Sequence, residues 1–250
     1  MTYIHSILLF LHILLGGAAL VLFWVPFYTQ KGQLNHRKFG AYYKNAMYAV
    51  AASGALMSIM VLSAPLAIKG HLANADSDPE KVAHTVRLFW AFLLYLSLLS
   101  FTTTRHAIAV LRARSQLTLL KAPSYILPIV LLAVLGPALA YLGYSNNQTL
   151  HMVFGVLGFI VGVNMLKYCF KKELAQREWI LEHIGAMIGS GIGAYTAFLA
   201  FGGRVLFSDL GQWQIAFWVA PGVIGSVASY VMTKKYSKVF SVTPKVASSV

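Results

Sequence analysis

Seven apolar stretches dominate this chain, each close to or above the ~20 residues that a helix needs to cross a bilayer. They lie near 3–28, 44–68, 84–112, 122–144, 150–170, 180–203 and 212–234. A backbone in lipid must satisfy its own N–H and C=O groups, and a helix does so internally. The sequence therefore predicts an all-α, polytopic transmembrane bundle of about seven helices. Only 11% of the 250 residues are charged, against about 25% in an ordinary soluble domain. The third stretch is the least uniform. Its apolar part, Leu88 to Phe101, runs on into "TTTRHAIAVLRAR" and reads as one helix emerging from the membrane. No Lys or Arg precedes Lys31. A secretory signal peptide wants a basic segment ahead of its apolar core, so 3–28 reads as a retained first span. The longest loop, "GHLANADSDPEKVA" (70–83), is too short to fold alone. Residues 1–240 thus read as one transmembrane domain, and 241–250 as a polar, flexible cytoplasmic tail.

Charge orients these spans. Lys31, Arg37, Lys38 and Lys44 flank the first connection, and Arg105, Arg112, Arg114 and Lys121 flank the third. Lys167, Lys171, Lys172 and Arg177 flank the fifth, and Lys234, Lys235, Lys238 and Lys245 lie at the end of the chain. The other side holds Lys69, Lys81, Arg87 and Arg204, with Asp76, Asp78, Glu80 and Asp209. Basic loops stay cytoplasmic, which places the N-terminus outside and the C-terminus inside. The net charge of +13 then reflects contact with an anionic leaflet, and no nucleic-acid partner is needed to explain it. Cys169 is the only cysteine, so no internal disulfide can form, and it reads as packing.

Gly185, Gly189 and Gly193 recur every four residues on one face of the sixth helix, followed by Ala197. Gly158 and Gly162 do the same on the fifth. Small residues at this spacing let helix backbones approach, so they are expected to seat neighbouring helices, although the same gap would fit a flat cofactor. Pro128, Pro137 and Pro221 are expected to bend their helices. Most of the tryptophans and tyrosines fall near span ends, where amphipathic rings settle at the headgroups.

The histidines are the chemical candidates, because ionisable groups inside a membrane are costly. "HILLG" (12–16) and "HMVFG" (151–155) share H-x-x-x-G at the outer halves of the first and fifth helices. Each is followed by a basic loop and a histidine near the next helix start, His36 and His183. This points to a weak repeat of helices one–two and five–six. It would put His12 and His151 toward the outside, and His36 or His106 with His183 toward the inside. Paired imidazoles stacked across a bundle can ligate haem iron axially. In this layout the chain resembles the di-haem transmembrane cytochromes that include cytochrome b561. The resemblance implies haem b held by His12, His36, His106, His151 and His183, and electron transfer with quinone or another redox protein as partner. It departs from that family in lacking a ligand pair two-thirds of a span apart on one helix. His84 and His106, on the third, lie ~33 Å apart.

Two other readings stay open. His36, His106 and His183 could form a three-His Zn²⁺ site with Glu182 as base for a bound water. That arrangement is similar to the membrane ceramidase-like hydrolases but lacks their H-x-x-x-H pair. Alternatively, Glu182, Arg105 and the histidines serve a transporter or sensor as proton or substrate groups. In the plainest version Glu182 pairs with Arg105 or Arg177, and the histidines cap helices. Finally, "LHILLGGAAL…HRKFGAYYKNAMY", the H-x-x-x-G at 151 and "EHIGAMIGSGIGAYTAF" resemble a family of bacterial multi-pass inner-membrane proteins of unknown function. That resemblance covers roughly residues 5–205 and implies a bacterial inner membrane. It brings no activity with it.

Overall fold

The computed structural model describes residues 2–72, 78–203 and 214–239. The expected tail 241–250, with Lys245, and also Asp76, Arg204, Asp209 and Trp213, lie outside the described residues. The order of elements is α1 (Thr2–Tyr28), α2 (Leu34–Ser63), a short α3 (Pro65–Lys69), α4 (Pro79–Ala113), α5 (Pro123–Ser145), α6 (Thr149–Cys169), α7 (Glu178–Ala197) and α8 (Gln214–Val239). No strand occurs among the described residues. Seven of the helices are long and apolar enough to cross a membrane, so the chain is an all-α integral membrane protein.

Two boundaries differ from the apolar pattern for physical reasons. The second helix begins at Leu34, ten residues before the apolar run, because helix and hydrocarbon need not end together. It stops at Ser63 because Pro65 follows. Ala64 is pushed to φ −141°, ψ 66°, as the residue before a proline is disfavoured in the α region. The third expected span is indeed one unbroken helix, α4, of 35 residues. At ~1.5 Å per residue it is far longer than the ~30 Å hydrocarbon core. After α7 the chain widens into a π-helical turn, Phe198–Gly203.

Packing groups the chain into two compact units, 1–101 with 132–160, and 102–131 with 161–250, and α4, α5 and α6 contribute to both. In the first unit α1 packs along α2, and Trp90 is buried among Met57, Val61, Ile68 and Val86 rather than sitting at an interface. Here glycines seat neighbours closely. A Cβ on Gly155 would lie 2.5 Å from the Gly136 carbonyl, and one on Gly158 would lie 2.0 Å from the Tyr95 hydroxyl. Tyr95 fills the notch at Gly158 and donates to the Leu132 carbonyl at 2.9 Å. In the second unit Val110, Leu120, Tyr125, Ile129, Met165, Tyr168 and Cys169 form a buried cluster. Large apolar residues such as Ile4, Ile7, Phe10 and Ile13 on α1 are exposed, as suits a helix whose solvent is lipid.

Candidate functional site

The second unit holds a buried histidine bonded to an acid and a phenol. His106, on α4, is 1% exposed. Its Nε2 lies 2.8 Å from Glu182 Oε1 on α7, and its Nδ1 lies 2.5 Å from the Tyr125 hydroxyl on α5. Cys169, at the end of α6, is buried in the same cluster as Tyr125 and Tyr168. The three bonded groups come from three helices, α4, α5 and α7, so the chain of contacts exists only when all three are packed.

Donor inventory fixes the polarity of the chain. A carboxylate only accepts, so His106 Nε2–H donates to Glu182. Nδ1 of the neutral ring then accepts from Tyr125 O–H. The result is one continuous sequence, Tyr125 to His106 to Glu182, with both hydrogens pointing the same way. The ring of Tyr168 stands edge-on to His106 at 5.7 Å, and its hydroxyl is buried without a partner. Glu182 is the open end, its side chain 32% exposed. Arg105 donates to the Ser124 carbonyl at 2.9 Å and lies over the Tyr125 ring at 5.2 Å. The guanidinium thus props the tyrosine, and the partner found for Glu182 is a histidine.

The other expected residues are placed separately. His183 Nδ1–H donates to the Ala107 carbonyl at 2.8 Å, beside the same stretch of α4. In the first unit, His36 Nδ1–H donates to the Pro26 carbonyl at 3.0 Å, and Lys31 Nζ reaches the Pro26 and Phe27 carbonyls at 2.8 and 2.7 Å. Together they cap the C-terminus of α1, whose last carbonyls have no partner within the helix. His12 sits against Ser53 at 2.9 Å. Ser53 gives its own hydrogen to the Ala49 and Val50 carbonyls, so His12 Nδ1–H is the donor. His151 is 3% exposed; its Nε2–H donates to the Leu88 carbonyl at 3.0 Å, its ring stacks on Phe92 at 5.0 Å, and Nδ1 is buried without a partner.

This geometry bears on the cofactor readings. Both ring nitrogens of His106 are hydrogen-bonded to protein groups. Among the described residues no three His, Cys, Asp or Glu side chains gather where they could hold a metal ion. The two H-x-x-x-G motifs sit in unlike surroundings: nothing lies within 4 Å of a Cβ on Gly16, while Gly155 is pressed onto α5. Gly155 therefore seats α6 against α5. Outside the spans, Lys69 lies over Trp90 at 5.3 Å, and burial lowers its pKa.

Sequence reasoning missed Tyr125, Tyr168 and Cys169. The first two are one aromatic among many near span ends, and Cys169 carries no local motif. Only helix packing shows that the two tyrosines face His106 and that Cys169 is buried beside them.

Fold and site together define a multi-pass helical membrane protein built around a buried, histidine-centred hydrogen-bonded chain. Compared with known proteins, it matches no family, no curated protein and no solved structure.

Proposed function

We propose that this protein moves protons within the membrane, as a transporter or sensor does, along the hydrogen-bonded contacts of Glu182, His106 and Tyr125. The observation that carries this reading is the sealed imidazole bonded on both nitrogens, to an acid on one side and a phenol on the other. Imidazole is the side chain suited to passing protons near neutral pH. A proton taken up at Nδ1, as Tyr125 turns its hydroxyl hydrogen aside, makes an imidazolium that donates to the carboxylate and to the phenol oxygen. The Nε2 proton then passes to Glu182, which releases it at its exposed edge. One proton enters and one leaves, which leaves the ring protonated on Nδ1; the ring resets by rotating about Cβ–Cγ, which exchanges the edges that face Tyr125 and Glu182. The basic loops orient the protein with its N-terminus outside and C-terminus inside, and the resemblance noted above favours a bacterial inner membrane.

The test uses full-length protein in phosphatidylcholine vesicles enclosing a pH-sensitive dye, with a potassium diffusion potential as driving force. Wild-type protein should acidify or alkalinise the lumen faster than empty vesicles, and Glu182→Gln and His106→Ala should fall to the empty-vesicle rate. A wild-type rate equal to that of empty vesicles, or a Glu182→Gln rate equal to wild type, would overturn the reading.

Haem-based electron transfer, with quinone or a redox protein as partner, is the second reading. It is favoured by His12 and His36, each of which donates Nδ1–H to a protein oxygen. That fixes the tautomer whose Nε2 lone pair binds metals, the arrangement common behind ligating histidines. Haem would supply one-electron chemistry at those rings. A Soret band in the purified protein that His12→Ala removes would support it. A colourless protein from haem-replete cells would refute it.

A further inference from the structure

Helices α7 and α8 pack along one another, with a close approach at Gly225. At the contact Gly225 lies on Ile192, where a Cβ would fall 2.2 Å from Cγ1. Between this contact and Lys234 lies a groove of about 520 Å³, within the range of small-ligand sites. On its α7 wall, nothing lies within 4 Å of a Cβ built on Gly185 or Gly189. These glycines were expected to seat a helix; Gly225 does that, and they face the groove.

The α8 wall is chemically different. Ser226, Ser229 and Thr233 line it, spaced by three and four residues and hence on one face. None of the three makes a hydrogen bond among the described residues. Elsewhere in the spans Ser53, Ser58, Ser63 and Ser97 each return the hydroxyl hydrogen to a carbonyl of their own helix, the usual recourse of such residues. Three unused donors in a row, stepping inward by ~5 Å each, call for a ligand with acceptors in a row. Lys234 stands at the mouth, its ammonium over the Tyr230 ring at 5.8 Å, and adds a point charge of the kind that holds phosphate.

We infer that the α7–α8 groove binds an anionic glycerophospholipid of the surrounding bilayer. Lys234 and Thr233 hold its phosphate. Ser229 and Ser226 donate to its ester carbonyls, and its acyl chains leave over the glycine wall into the bilayer. Basic pockets between membrane helices hold anionic headgroups in this way. The site does not depend on proton transfer at His106, and neither result predicts the other.

The test is native mass spectrometry of the full-length protein in mild detergent, titrated separately with phosphatidylglycerol and phosphatidylcholine. Wild type should retain phosphatidylglycerol in preference. Lys234→Gln should weaken phosphatidylglycerol about five-fold, the effect of one basic residue near an anionic surface, and leave phosphatidylcholine unchanged. Gly189→Leu, which fills the groove, should displace both lipids. Lys172→Gln, in the loop before α7, should change nothing. Equal retention of the two lipids by wild type would overturn the assignment. So would an equal loss in Lys172→Gln, which would mean diffuse attraction to the basic loops, or competition by inorganic phosphate, which would mean a site for the free anion.

Discussion

If Glu182, His106 and Tyr125 form one network, changing its two ends must give a non-additive result. Tyr125→Phe removes only an oxygen but leaves Nδ1 of a 1%-exposed imidazole without its donor, at a cost of about 1–3 kcal/mol. Glu182→Gln keeps an acceptor for Nε2–H and removes the charge. Hydrogen bonds to charged groups contribute ~1.5–3 kcal/mol against ~0.5–1.5 for neutral ones, so the loss is about 1 kcal/mol. The two ends share the ring, whose tautomer each one biases, and the double variant should depart from the sum by ~0.5–3 kcal/mol. The assay is unfolding of the full-length protein in mild detergent by added denaturing detergent. Tyr95→Phe paired with Glu182→Gln is the control. Tyr95 donates to the Leu132 carbonyl and shares no partner with Glu182, so that pair should add to within ~0.5 kcal/mol. If the Tyr125 pair is as additive as the control, the chain is two independent bonds and the reasoning fails.

Other outcomes follow from the same packing. Gly158→Ala should lower the thermal midpoint, because its Cβ would strike the Tyr95 hydroxyl at 2.0 Å and overpacking costs about 1–3 kcal/mol. Gly185→Ala meets nothing within 4 Å and should be neutral or stabilising by up to ~1 kcal/mol; equal losses in the two variants would contradict the packing described. Burial lowers the Lys69 pKa from 10.5, so the folded state sheds this proton before the unfolded state does. Stability should therefore rise with pH from the folded-state pKa up to the unfolded one. Lys69→Gln should remove that slope in denaturation curves taken across the alkaline range.

Helix number and type were legible because an apolar run of membrane length leaves the backbone no alternative. Helix ends were less so: Leu34 to Tyr43 is helical but polar, and hydropathy sees only where the hydrocarbon stops. Within the candidate site, Glu182 stood out as an acid beside a histidine at the start of an apolar run, and His106 as a histidine inside a long helix. Their meeting was not visible, because it depends on how α4 and α7 pack across 76 residues of sequence. Tyr125 and Cys169 were invisible for the same reason. The glycine stripe was read as a helix seat because spacing reports which residues share a face, and not what that face meets.

The most direct test is ¹⁵N NMR of histidine-labelled protein in lipid across pH, with His106→Ala to assign the ring. The proton-transfer account predicts that Nε2 of His106 stays protonated while Nδ1 gains its proton as pH falls, and that Glu182→Gln shifts this transition. A ring that holds one protonation state throughout, in vesicles that nevertheless pass protons, would contradict it.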